Sequence, residues 1–406
     1  MSVWTDKVGG DARRLVATRA VRGVADGLVS VVLATYLPRL GLSAFEVGVV
    51  VAGTLGGSAA LTLLVGLHGH RFPARTILIA TAGLMAVTGI AFSLATAFWA
   101  LLLISVVGTL NPSSGDVTPF LPTEQALMAE SVAARDRTTV FAWYNVAGAL
   151  AGAVGALLAG LPEVLAGGEM APSDTILGFE RASFYLYAVA GLVALVLYGR
   201  LPRVETPKRD RSTRALATSR PVVVRLAALF ALDSFGGGLV IQSLLALWLT
   251  RRFDVGPEVL GVLFFATGVV AGASQFVSAW LTARIGHIKT MVYTHLPANV
   301  FLVLAGLMPT AELAMAFLVL RMCLSQMDVP ARQAYVMAVV PPEERVAAAA
   351  VTNVPRSLAP AFAPLVTGAL LDASTFGWPL ILAGTLKIIY DLLLYRGFAA
   401  LKAREE

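Results

Sequence analysis

Cysteine, charge and histidine are all scarce in this chain of 406 residues. A single cysteine, Cys323, excludes an internal disulfide and any cysteine-based metal or redox centre. Only 14% of the residues are charged, against 57% hydrophobic, and a soluble domain of this length needs a far larger polar surface. The 4 histidines form no ligand-spaced cluster: His68, His70 and His287 fall in loops, and His295 stands alone in an apolar run. No G-x-x-x-x-G-K-[ST] occurs, which excludes P-loop ATP hydrolysis. Without a nucleophile–base set, a cofactor motif or a metal cluster, the chain does not read as an enzyme and is expected to carry no cofactor.

What is abundant is apolar length, and mean hydropathy is +0.77. Runs of about 20 residues, enough to cross a bilayer core as helix, recur at 16–38, 45–67, 76–94, 97–127, 138–160, 182–200, 223–249, 257–282, 290–309, 313–337, 347–370 and 378–397. They are rich in Gly, Ala, Val and Leu, and small residues let helices approach closely in lipid. The first run follows a basic leader but lacks a small-x-small cleavage site, so it reads as a span and not as a signal peptide. The expected class is an all-α polytopic membrane protein of about twelve spans.

The net charge of +6 could suggest nucleic acid, but its distribution points to topology. Basic residues cluster at Lys7, Arg13, Arg14, Arg19 and Arg22, and again from Arg200 to Arg225. Others lie in the loops after the second, fourth, eighth, tenth and twelfth spans, while Arg39, Arg181, Arg251 and Arg252 fall on the opposite side. Loops rich in Lys and Arg stay cytoplasmic. Both termini are therefore expected inside a plasma (inner) membrane. The longest external loop, roughly 162–181, is acidic through Glu163, Glu169, Asp174 and Glu180.

The segments "FLPTEQALMAESVAARDR" and "LSQMDVPARQAYVMAVVPPEER" echo each other. A shift of 208 positions brings Pro122 onto Pro330, Gln125 onto Gln333, Arg137 onto Arg345 and Asn145 onto Asn353. A shift of 213 brings Arg39 onto Arg252, Gly48 onto Gly261 and Arg71 onto Arg284. The chain reads as a duplicated unit, with residues 1–200 and 223–406 as six-helix bundles and 201–222 as a cytoplasmic linker. Each copy has an even number of spans, so the copies run parallel. Repeats of this kind rock about a site at mid-bilayer.

About twelve spans as six plus six, a basic central loop and cytoplasmic ends resemble the major facilitator superfamily over nearly the whole chain. That family's loop after the second span reads roughly G-x-x-x-D-R-x-G-R-R. Here "GLHGHRFPAR" supplies Gly66, Arg71 and Arg75, with His70 in the acid's place and Pro73 in that of the glycine. The second copy, "AWLTARIGHIK", keeps Arg284, Gly286 and Lys289. The resemblance implies a monomeric secondary transporter without cofactor, in which Arg71 and Arg284 latch the cytoplasmic helix ends against Asp116, Glu124 or Glu130. It also implies that the first and seventh spans line the central path. The drug-antiporter pattern is not clean: the fourth span lacks an arginine, and the fifth has Gly148, Gly152, Gly155 and Gly160 but no Gly-Pro.

Charges inside a membrane cost several kcal/mol and usually face a cavity or a partner. Asp26 in the first span and Asp233 in the seventh are candidate proton or cation sites. Asp328 and Arg332 are spaced i, i+4, with Arg321 upstream near the same face. With Asp116, Glu124 and Arg356 they are expected to form cytoplasmic gate salt bridges. Lys387 and Asp391 repeat the i, i+4 spacing and read as a structural ion pair. Tyr36, Tyr144, Asn145, Gln242, Asn353 and Arg356 are candidate cavity residues. Three readings follow: proton-coupled efflux of small amphipathic compounds, transport of anionic metabolites on the intramembrane Arg and Lys, and a non-transporting receptor or enzyme. The expected partners are a small-molecule substrate, protons and the lipid bilayer, with no nucleic acid.

Overall fold

The structure, a computed structural model, describes residues 10–68, 71–113, 118–131, 137–167, 172–202, 219–341 and 344–398. Its elements are α1 (Gly10–Arg39), α2 (Ala44–His68), α3 (Ala74–Leu94), α4 (Phe98–Val107), α5 (Leu121–Ser131), α6 (Arg137–Leu157), α7 (Leu161–Ala166) and α8 (Ser173–Gly199). There follow α9 (Arg220–Gly238), α10 (Gln242–Phe253), α11 (Pro257–Ile285), α12 (His287–Leu307), α13 (Ala311–Ser325), α14 (Asp328–Val339), α15 (Arg345–Leu358), α16 (Ala363–Ala373) and α17 (Trp378–Phe398). Among the described residues, 10 helical stretches are long and apolar enough to cross a membrane. The fold is the all-helical polytopic one expected.

The two expected spans missing from those ten are 97–127 and 313–337, and both are broken. The first is split into α4 and α5, the second into α13 and α14. Each later piece opens with an acid and a proline in or beside its first turn: Glu124 and Pro122 in α5, Asp328 and Pro330 in α14. A proline there removes only an N–H that would lack a helical partner. An acid there meets the positive end of the helix dipole. Breaks free backbone carbonyls, which lipid cannot solvate, and neighbouring helices supply donors. The Tyr187 hydroxyl of α8 donates to Thr109 O at 2.6 Å and Ser278 Oγ of α11 to Met327 O at 2.5 Å. Between α9 and α10, after Gly236–Gly238, Thr367 Oγ1 donates to Leu239 O at 2.8 Å.

The expected external loop 162–181 is largely helical, because α7 lies within it and α8 starts at Ser173. Glu180 consequently sits in a helix and is buried, taking Thr35 Oγ1 at 2.6 Å and Arg39 Nη1 at 2.5 Å.

The chain divides into two compact units, Met1–Arg209 with Gly256–Phe265, and Asp210–Val255 with Ala266–Glu406. In the first unit α1 packs on α6 and α8, and α3 on α8; in the second α9 packs on α15 and α17, and α12 on α17. Glycine sets how close α1 and α6 come, since a Cβ at Gly27 would lie 2.0 Å from the carbonyl oxygen of Gly152. Leu94, Trp99 and Leu103 are between 65% and 76% exposed, an apolar exterior suited to lipid.

Candidate functional site

Each unit encloses its own ionic cluster. In the first, Glu124 of α5 is fully buried and is met by four donors. Arg22 of α1 forms an ion pair with its Oε2. Tyr144 of α6 donates to Oε2 and Tyr198 of α8 to Oε1, both at 2.5 Å, and Thr18 of α1 lies 3.2 Å from Oε1. The Arg22 guanidinium also stacks over Phe120 at 3.9 Å from the ring centroid. One helical turn on from Arg22 is Asp26, buried, with Arg22, Arg19 and Asn111 as its polar neighbours. Buried ions persist when partners satisfy both charge and hydrogen bonding, and the donors around Glu124 come from three other helices.

In the second unit the corresponding helices carry the reverse polarity. Asp233 of α9 receives Lys387 Nζ of α17 at 2.6 Å and Arg332 Nη1 of α14 at 3.2 Å. Arg332 also reaches Asp328 Oδ2 at 3.2 Å. His295 of α12 spans two carboxylates, with Nδ1 at 2.9 Å from Asp391 Oδ1 and Nε2 at 3.7 Å from Asp233 Oδ1. Asn299 Nδ2 donates to Asp391 Oδ2 at 2.9 Å. All of these side chains are buried. Ligand atoms of Asp233, His295 and Asp328 lie within 4.8 Å of one another. Lys387 and Arg332 already supply the cations that satisfy this cluster, so it is not shaped as a metal site.

Several expectations change. Glu124, taken as a gate residue, is committed inside its own unit to Arg22. Arg19 and Arg22, read as topology signals, are buried, because the helix carries them inward. Lys387 and Asp391 do not pair with each other: Lys387 goes to Asp233, and Asp391 to His295 and Asn299. His295, read as solitary, is central to the second cluster. Tyr36, a cavity candidate, packs between Phe92 and Phe184, fully buried, with ring centroids 6.3 and 4.9 Å away. Tyr144 faces Glu124, and Asn145 beside it is exposed. Gln242 and Arg356 are half-buried.

Arg71 is exposed and Arg284 lies over the Trp280 ring at 4.1 Å, so Glu124 is not the latch partner of Arg71. Arg75 instead donates to Gly199 O at the end of α8. Asp116 and the side chains of Glu130 and Asn353 lie outside the described residues.

Sequence reasoning missed Arg22, Tyr198, His295 and Asn299. Two helical signals were available, since Arg22–Asp26 and His295–Asn299 both have i, i+4 spacing.

Long helices with apolar exteriors and polar clusters buried inside each unit define a polytopic membrane protein. The Major Facilitator Superfamily model matches residues 15–325 and 226–404, and the chain belongs to that family of transporters. It is 24% identical over 431 residues to the uncharacterized membrane protein YJR124C of Saccharomyces cerevisiae, covering 97% of this chain and 95% of that one. Its fold is similar to that of the xylose transporter XylE from E. coli in an inward open conformation. There the TM-score is 0.76 and the identity 15%, over 97% of this chain and 98% of that one. It is also similar to a point mutant of the nucleoside transporter NupG, with TM-score 0.74 and 14% identity, over 96% and 100% of the two chains. A bacterial homolog of the human lysosomal transporter Spinster gives TM-score 0.74 and 17% identity, over 96% and 97%.

Proposed function

We propose that the protein is a proton-coupled secondary transporter of small organic solutes, working by alternating access between its two repeats. The observation that carries the coupling is His295, a buried titratable group held between Asp391 and Asp233. A second proton on its ring gives each nitrogen a carboxylate to face, and its loss leaves Asp233 with Lys387 and Arg332. The switch between these states is a local exchange of hydrogen bonds in a site closed to water, where electrostatic interactions are strong. Asp26 is the corresponding candidate in the first unit, facing Arg22, Arg19 and Asn111.

Against the expected efflux of small amphipathic compounds, a cationic solute finds no unpartnered acid among these clusters: Asp233, Asp328, Asp391 and Glu124 have protein partners, and Asp26 faces Arg22, Arg19 and Asn111. The test is solute uptake and release by the purified protein in liposomes under an imposed pH gradient. His295→Gln is expected to abolish gradient-driven accumulation while solute exchange without a gradient continues. Accumulation unchanged in that variant would refute the role of His295.

A further inference from the structure

We propose that the transported solute carries a carboxylate or similar anionic group, that Arg321 binds it, and that His295 takes up a proton with it. This rests on the transporter reading above and names its substrate class. Arg321 lies on α13 three residues after Leu318, seven after Ala314 and four before Ser325, all buried. By helical spacing its side chain shares their inward face.

Among the described residues no carboxylate lies within ion-pair distance of Arg321. Its Nη1 contacts Met322 Sδ at 3.5 Å, and its buried Nε has no partner. Asp233 and Asp328 act on it electrostatically without touching it. The other two cations of the cluster are spoken for, Lys387 by Asp233 and Arg332 by Asp233 and Asp328. Arg321 is thus the guanidinium left to receive an external anion, and its planar fork suits a carboxylate.

Charge balance links that anion to a proton. Asp233, Asp328 and Asp391 are matched by Arg321, Arg332 and Lys387 when His295 is neutral. An anion on Arg321 leaves one uncompensated negative charge in a buried site, which is costly. His295 can restore the balance without breaking an ion pair. It faces Asp391 and Tyr390 from α17, Asp233 from α9, Asp328 from α14, and Asn299 on its own helix, while Lys387 and Arg332 reach it through Asp233. Anion and proton therefore enter and leave together, as in a symporter.

The test uses the full chain in liposomes with an inside-alkaline gradient and a trapped pH dye. Radiolabelled benzoate, succinate and lactate are compared with benzamide, succinamide and lactamide, and with benzylamine as a cation. At least one acid is expected to accumulate with proton entry while its amide does not. Arg321→Gln should weaken its apparent affinity by about 10- to 100-fold, and Arg321→Lys by less. Gel filtration of both variants checks their folding. His295→Gln should end proton entry but spare exchange of the acid. Amides or the amine moving while acids do not, or acid transport indifferent to Arg321→Gln, would overturn the assignment. If none of the probes moves in gradient or exchange mode, the transporter reading falls and takes the assignment with it.

Discussion

Replacing Glu124 by alanine should be among the most damaging single changes in the first unit. It leaves the Arg22 guanidinium buried without its carboxylate and removes the acceptor used by Tyr144, Tyr198 and Thr18. Breaking a buried pair by deleting one partner costs about 3–5 kcal/mol, and the orphaned hydroxyls add on the order of 1 kcal/mol each. At about 2–4 °C per kcal/mol for a unit of this size, the pair alone corresponds to a melting shift of roughly 6–20 °C. Glu124→Gln should fall between, since an amide oxygen still accepts from one side. The double change Arg22→Met with Glu124→Leu should recover much of the loss, because an apolar pair of similar volume carries no desolvation penalty. Tryptophan-fluorescence melting of the detergent-purified protein reads all four forms. If Glu124→Ala melts within about 2 °C of the parent, or the double change is as unstable as the two single losses added, the buried pair does not hold the unit together.

Three further outcomes follow from the packing. A double-mutant cycle on melting should give Lys387 and Asp233 a coupling larger by about 1 kcal/mol or more than that of Lys387 and Asp391; the reverse order would contradict the observed partners. Gly27→Leu should prevent α1 and α6 from docking, read as loss of monodisperse protein on gel filtration, because even a Cβ would lie 2.0 Å from the Gly152 carbonyl oxygen. Tyr36→Ala should cost about 3–5 kcal/mol of core packing, because the ring fills the space between Phe92 and Phe184, and Tyr36→Phe, which keeps the ring, should cost much less on melting.

The helical class and its membrane setting were legible because lipid imposes long apolar runs that composition cannot hide. The breaks in the fourth and tenth spans were not, since each polar second piece was read as the end of the apolar run before it. In the fourth span "NPSSGDVTP", with Pro112, Gly115 and Pro119, marked the interruption, and in the tenth Pro330 did; the alignment of Pro122 with Pro330 was read as repetition. The ions were visible as costly residues, but their pairing was misread wherever the nearest partner in sequence competed with one across helices. Lys387 looks toward Asp391 along its own helix, yet Asp233 of α9 is the carboxylate its ammonium meets. Arg22 was lost in a basic leader because charge counting treats every arginine near a terminus as topology. Only the i, i+4 spacing to Asn299 marks His295 locally; the carboxylates it spans, Asp391 and Asp233, lie on other helices far along the chain, which periodicity does not relate.

The opposed signs of Glu124 and Arg332, aligned by the internal shift, bear on how the two halves diverged. If the ancestor was one half encoded twice, one of these positions changed sign after duplication. Copying either residue into the other half now, as Glu124→Arg or Arg332→Glu, would set guanidinium against guanidinium at Arg22 or carboxylate against carboxylate at Asp233. A route between the two present forms therefore needed linked replacements, or passed through a neutral stage in which the surrounding hydroxyls carried the contact. Grafting this segment of either half onto the other would therefore break the buried cluster it entered.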